Sequence, residues 1–183
     1  GATLSLYITA KDPDIAAVVA WSANIDMADP MSAMLTLPWG LQLARLSMGS
    51  KYRSFAADST IQKWWIHRYR IEGLVSLKSL LQQTMTNTVF KQINQPVLMA
   101  YYYKNDTIKD NIISIDKGKA AFEALACPAD KKELHLLDNV SGHCMASQYY
   151  ANPQQLDTLR LVTEQFLEKN LHLKTAKLDT VSI

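Results

Sequence analysis

The chain has 183 residues, of which 48% are hydrophobic and 20% are charged, and its formal net charge is +2. This length can form one domain with a sizeable core, and so small a charge gives no argument for nucleic acid as a partner. No apolar run approaches the roughly 18–20 residues of a membrane-spanning helix, so we expect no membrane span in this chain. Cys127 and Cys144 are too few for a disulfide framework and are expected to be free thiols, which leaves the localisation unknown.

The chain opens with a predicted helix and then a strand. Residues 2–11 carry an apolar stripe with small residues beside it, and Asp12-Pro13 ends the helix because proline cannot continue it. The run "IAAVVAWS" at 15–22 is continuously apolar, which is typical of a strand buried on both faces of a parallel sheet.

A segment of different character follows. Residues 26–59 are rich in Met, Ser, Pro and Gly, which predicts short helical pieces. The apolar spacing from 61 to about 86 predicts one long helix, with "HRYR" at 67–70 on one of its faces. Trp64, Trp65 and Tyr69 are expected to pack in the core or between elements, and a substrate-facing wall is the alternative.

The second half alternates strands and helices. "QPVLMAYYYKND" at 95–106 is the clearest predicted strand, and "KKELHLLD" at 131–138 is another. Helices are predicted at 111–126, where the mid-helix Gly118 weakens the pattern, and at 153–171. This order predicts an α/β fold: a mostly parallel sheet covered by helices on both faces, which is a three-layer α/β/α architecture.

Two candidate catalytic residues follow successive strands of this sheet. Asp106 comes just after the strand residues 97–104, and His143 lies in the loop "NVSGHCMAS". Because functional groups collect at the carboxyl ends of parallel strands, the two side chains can meet at one edge. A carboxylate that orients an imidazole is two-thirds of a hydrolytic triad. Asn105 is one position nearer the strand end, and Asp110 is the reserve candidate for the acid.

Other chemistry has less support in the sequence. Cys144 and Ser141 flank the His143 region, but adjacent loop residues usually point apart, and nothing obvious lowers the pKa of the thiol. His67, His135 and His172 are expected to be structural or solvated. No cluster has metal-ligand spacing and no Gly-rich phosphate loop occurs, so we expect no cofactor and no metal.

The sequence as a whole resembles the α/β-hydrolase fold of serine esterases, lipases and serine aminopeptidases. "PVLMAYYYKND" and "SGH" resemble the acid strand and histidine loop of that family, and residues 1–26 resemble the helix and strand that follow its Gly-x-Ser-x-Gly nucleophile elbow. The resemblance implies that Gly1 is the last glycine of the elbow. The serine and the N-terminal strands would then lie upstream of this chain, which alone is expected to be inactive.

The resemblance also implies an organisation of the chain. Residues 1–26 would be the helix and strand after the elbow, 27–90 a helical cap with the helix that follows it, 91–173 the acid and histidine core, and 174–183 a tail. The implied reaction is cleavage of carboxylic esters or related acyl substrates by a Ser-His-Asp triad. A group of apolar cap residues suggests a small-molecule substrate with an apolar group: Met31, Met34, Leu35, Leu37, Trp39 and Leu41.

Two further expectations concern partners and the alternative function. Without a neighbour, the strand at 15–22 would leave an unpaired sheet edge, so we expect self-association or pairing with the missing N-terminal part through this strand. The alternative to the enzyme is a hydrolase-like binding or relic domain without catalysis, which the missing serine and Asn105 favour.

Overall fold

The computed structural model describes residues 1–55, 59–63, 66–140, 142–147 and 153–173. Its helices and strands, in chain order, are α1 (Ala2–Thr9), β1 (Val18–Trp21), α2 (Gly40–Met48), β2 (Tyr52–Ser54), α3 (Ser59–Gln62), β3 (Arg68–Arg70), α4 (Glu72–Thr84), α5 (Asn87–Phe90), β4 (Val97–Tyr102), α6 (Ile115–Ala124), β5 (Lys132–Leu137) and α7 (Pro153–Leu171). Two 3₁₀ helices lie at Pro30–Thr36 and Ala129–Lys131.

The core is a parallel sheet with the strand order β1-β4-β5. The central strand β4 alternates its side chains between two cores. Val97, Met99 and Tyr101 face a core that includes residues of α1 and α6, whereas Leu98 and Ala100 face a core that includes residues of α7. The predicted parallel strands and the three-layer α/β/α architecture are confirmed.

Helix α6 shows why the sequence tolerates glycine in its interior. Ser114 caps the helix by accepting a hydrogen bond from the Lys117 N–H. A β-carbon at Gly118 would lie 2.6 Å from the hydroxyl oxygen of Tyr101, which is fully buried and donates to the Ala23 carbonyl. The glycine therefore permits close contact between the helix and β4, and the prediction of a helix here is confirmed, with bounds of Ile115–Ala124.

The predicted long helix at 61–86 is wrong. The structure has a short α3, then β3, and helix α4 begins only at Glu72. Strand β3, with the "RYR" that was expected on a helix, pairs antiparallel with β2. Arg70 and Arg45 both contact Glu72 at the start of α4, and the hydrogen bond from Arg70 lowers the pKa of Glu72 to about 2. Trp64 and Trp65 lie outside the described residues, as does the tail at 174–183.

Strand β1 is one of the two edge strands of the described parallel sheet, and its only described neighbour is β4. Val18 in this strand is buried and Val19 is half-buried, whereas the Trp21 side chain is exposed. Val18 is covered because α1 packs against β1. No helix among the described residues is long and apolar enough to cross a membrane.

Candidate functional site

A tight turn after β4 determines which acidic residue lies at the edge of the sheet. The backbone of Lys104 and Asn105 pairs with Ile108, and Tyr103 forms an antiparallel bridge with Lys109. This small hairpin brings the chain back, so that the Asp110 N–H donates to the Tyr102 carbonyl at the end of β4, over 3.0 Å. Asp110 therefore occupies the position at the strand end, although it lies eight residues after Tyr102.

The carboxylate of Asp110 contacts the imidazole of His143. Asp110 Oδ2 and His143 Nδ1 are 2.8 Å apart, and Oδ1 accepts a hydrogen bond of 2.9 Å from the Ile112 N–H. The Asp110 side chain is fully buried, whereas that of His143 is 31% exposed. A buried carboxylate with two such partners can hold the Nδ1–H tautomer and leave Nε2 available for proton transfer.

The structure does not bring Asp106 to His143, contrary to the sequence prediction. The Asp106 side chain is 88% exposed and lies 3.9 Å from Lys109, and it accepts a hydrogen bond from Tyr103, which raises the Tyr103 pKa. Asn105, the other alternative, accepts from the N–H groups of Thr107 and Ile108 and so stabilises the turn. The reserve candidate Asp110 is the residue in contact with His143.

The histidine loop is anchored by one buried side chain before His143 and another after it. Val140 and Met145 are buried against the α7 side of the sheet. Gly142 has a φ of 62°, a left-handed conformation that glycine adopts without strain. Burial raises the pKa of the Cys144 thiol, and the nearby Asp110 charge raises it further, so Cys144 is not activated as a nucleophile. Ser141 lies outside the described residues.

The loop at 103–114, which joins β4 to α6 and carries Asp110, is called the acid loop below. A cavity of about 600 Å³ lies beside this loop and within the segment that joins β1 to β4. Asn111 and Ile112, which directly follow Asp110, form part of its wall. The rest of the wall is mostly apolar and includes Met27, Met31, Met34, Leu35, Leu43, Leu46, Met48, Tyr69, Leu74 and Leu77. We call this space the insertion cavity. Of the six apolar residues that the sequence suggested for a substrate wall, Met31, Met34 and Leu35 line it.

The other histidines have different surroundings. His135 Nε2 lies 3.2 Å from Glu133 on β5, and His172 follows the end of α7. Across the described ranges, no group of three or more His, Cys, Asp or Glu residues is arranged to hold a metal ion. Sequence reasoning did not single out Asp26 and Lys78, which form an ion pair near the acid loop in which the lysine is buried and the aspartate is partly exposed. The sequence did contain a signal for this pair, since Lys78 lies on the apolar stripe of a helix.

Comparison with solved structures identifies the fold. Monoglyceride lipase from Saccharomyces cerevisiae matches 96% of this chain with a TM-score of 0.63 and 12% identity, and the chain covers 61% of that protein. One of the metagenome-derived lipolytic enzymes LipS and LipT matches 88% of the chain, with a TM-score of 0.58 and 16% identity over 60% of its own length. The enol-lactonase from Burkholderia xenovorans LB400 matches 91%, with a TM-score of 0.55, 17% identity and 62% of its length covered.

The chain therefore has the α/β-hydrolase fold, and the three-stranded parallel sheet is part of that fold. It spans about 60% of the length of these structures. No family model and no curated protein matches the sequence.

Proposed function

We propose that this chain supplies the acid and the histidine of a serine hydrolase that cleaves carboxylic esters or related acyl substrates. The observation that carries the proposal is the contact of 2.8 Å between the buried Asp110 carboxylate and His143 Nδ1. We expect the nucleophilic serine to precede Gly1, and residues 27–90 to act as the cap over the site.

In the proposed mechanism, Asp110 keeps the proton of His143 on Nδ1 and stays ionised throughout. Nε2 of His143 takes the proton of the serine hydroxyl as its oxygen attacks the acyl carbon. The same proton then goes to the leaving alkoxide, and the acyl group remains on the serine. In the second half, a water molecule attacks the acyl carbon and gives a proton to His143 Nε2. The bond from the acyl carbon to the serine oxygen then breaks, and His143 returns the proton to that oxygen as the acid is released.

The surroundings of the pair support an ester with an apolar group as the substrate. The insertion cavity has a mostly apolar wall, and that wall reaches the acid loop at Asn111 and Ile112. An apolar group bound there would remove its surface from water, at roughly 25 cal/mol for each Å² buried. Two of the similar structures are lipolytic enzymes and one is a lactonase, which fits an acyl substrate for this chain as well.

A fluorophosphonate probe tests the proposal, because it labels an activated serine covalently. The full-length protein that contains this chain should be labelled, and His143→Ala should slow the labelling by about 10⁴-fold. His135→Ala is the matched control, since His135 also lies beside a carboxylate, that of Glu133. Equal labelling of His143→Ala and the unmodified protein would contradict the proposal, and a protein that is never labelled would support the non-catalytic alternative.

A further inference from the structure

Lys78 is a charged residue on a buried helical face. It lies on α4 between Leu74 and Leu81, and the whole residue is 4% exposed. Its ammonium group is 2.5 Å from Asp26 Oδ1, whose side chain is 31% exposed. Removing an ammonium group from water is costly unless the charge is paired, so Asp26 holds this lysine, and with it α4, in a defined position.

Asp26 belongs to a segment that pairs with the acid loop. The Asp26 carbonyl accepts a hydrogen bond of 2.8 Å from the Ser114 N–H, and the Ala28 N–H donates to the Ile112 carbonyl over 3.1 Å. Between these two bonds, Met27 and Ile113 form an antiparallel bridge. Residues 26–28 therefore fix the backbone of residues 112–114.

The backbone fixed in this way directly orients the Asp110 carboxylate. The Ile112 N–H donates to Asp110 Oδ1, which leaves Oδ2 facing His143 Nδ1. A continuous set of contacts thus runs from Lys78 through Asp26 and the acid loop to His143. The helix that carries Lys78 and the loop that carries Asp110 both border the insertion cavity, since Leu74 and Leu77 of α4 and Ile112 of the acid loop line its wall.

We propose that the Lys78–Asp26 ion pair is a positioning device that couples the insertion cavity, through α4 and the acid loop, to the Asp110–His143 pair. A group that binds in the cavity and presses on α4 would then affect how firmly Asp110 holds the imidazole. The kinetic consequence rests on the proposed hydrolase function, whereas the structural coupling does not.

The test follows the Nδ1–H proton of His143 by NMR in the full-length protein with ¹⁵N-labelled histidine. Lys78→Met removes the charge but keeps an apolar stem, and it leaves the partly exposed Asp26 to be solvated. We expect this proton to exchange with water about 10-fold faster than in the unmodified protein, because the acid loop opens more often. Asp26→Asn should also speed the exchange of the His143 Nδ1–H proton. If Lys78→Met does not fold, the exchange rate in Asp26→Asn is the test of the proposal.

Leu81→Ala is the matched control, since Leu81 lies on the same buried face of α4, three residues after Lys78. It weakens the packing of the helix and leaves the ion pair in place, so exchange at His143 should stay within about 2-fold. The double variant Lys78→Met/Asp26→Asn should be no worse than Lys78→Met alone, because both remove one interaction. Unchanged exchange in Lys78→Met, or an equal change in Leu81→Ala, would overturn the proposal.

The kinetic measurement separates this inference from the proposed function. If the protein hydrolyses esters, Lys78→Met should lower kcat by about 10-fold and change KM by less than about 2-fold, because the ion pair positions the base and does not contact the substrate. A fall in kcat that Leu81→Ala reproduces would count against positioning. If the unmodified protein hydrolyses nothing, the hydrolase proposal fails, and the exchange of the His143 proton alone decides whether the coupling exists.

Discussion

Replacing Asp110 by asparagine is the most direct test of which acid orients His143. The two carboxylate oxygens of Asp110 have different partners: the Ile112 N–H donates to Oδ1, and Oδ2 faces His143 Nδ1. An asparagine at this position would place its carbonyl oxygen toward the Ile112 N–H, because that group can only donate. Its NH₂ group would then face Nδ1 and donate to it, which favours the tautomer with the proton on Nε2.

The wrong tautomer removes the general base. A histidine with its proton on Nε2 cannot accept the proton of a serine hydroxyl there, and this type of substitution lowers turnover by about 10⁴-fold. That loss equals about 5 kcal/mol of transition-state stabilisation at 1.36 kcal/mol for each factor of ten. The measurement is kcat for a p-nitrophenyl ester, made on the full-length protein, with the unfolding transition recorded to verify that the variant is folded.

Asp106→Asn is the matched control for this experiment. The Asp106 side chain is 88% exposed, and its Lys109 partner is 3.9 Å away, so the pair contributes at most about 1 kcal/mol. Turnover of Asp106→Asn should stay within about 2-fold of the unmodified protein. Turnover of Asp110→Asn within about 10-fold of the unmodified protein, or an equal loss in both variants, would refute the assignment of Asp110 as the orienting acid.

The remaining predictions concern packing and the edge of the sheet. Gly118→Ala should destabilise the protein by about 1–3 kcal/mol in a denaturant titration, because the new β-carbon would clash with Tyr101. Gly73→Ala in α4 should be neutral or stabilising by up to about 1 kcal/mol, since its β-carbon meets only a Tyr69 ring atom at 3.9 Å. Equal changes in the free energy of unfolding for Gly118→Ala and Gly73→Ala would contradict the packing argument. The isolated 183-residue chain should self-associate through the β1 edge in light scattering, and a monomer with cooperative unfolding would count strongly against this.

The strands of the parallel sheet were predictable because their sequence pattern has one physical cause. Residues 97–101 form an apolar run, and each of them is buried, since β4 lies between two strands and under two layers of helices. The strand order was not readable from the sequence in the same way. The strand order depends on which apolar strands pair with each other. That pairing depends on how α1, α6 and α7 pack on the two faces of the sheet.

The hairpin formed by β2 and β3 could not be predicted for the opposite reason. All three residues of β2 are exposed, and β3 has only Tyr69 turned partly inward, so neither strand has an apolar pattern that marks it. The helical spacing of apolar residues after residue 61 fitted a single helix equally well. What decides against that helix is the pairing of β3 with β2, a tertiary interaction that local periodicity does not contain.

The sequence did not indicate which carboxylate contacts His143, because distance along the chain is a poor guide to position in space after a turn. Counting from Pro96 leads to Asn105 or Asp106, both of which lie in the hairpin that follows β4. The hydrogen bonds accepted by the Asn105 side chain close this turn, so the residue nearest the predicted strand end helps to bring Asp110 back to Tyr102. An asparagine followed by a short polar stretch was a signal for such a turn.

The geometry of the sheet also constrains where the proposed serine can lie. Asp110 follows β4 and His143 follows β5, so both come from one pair of neighbouring strands within this chain. If a further parallel strand pairs with the edge of β1 that faces away from β4, its carboxyl end lies two strand spacings, or about 10 Å, from the end of β4. This distance can be covered by an aspartate side chain, an imidazole and a serine side chain in series. They are joined by two hydrogen bonds of about 2.8 Å, one on each side of the imidazole. A serine at the end of a strand next to β1 would therefore be within reach of His143 Nε2, without any change in the Asp110–His143 contact.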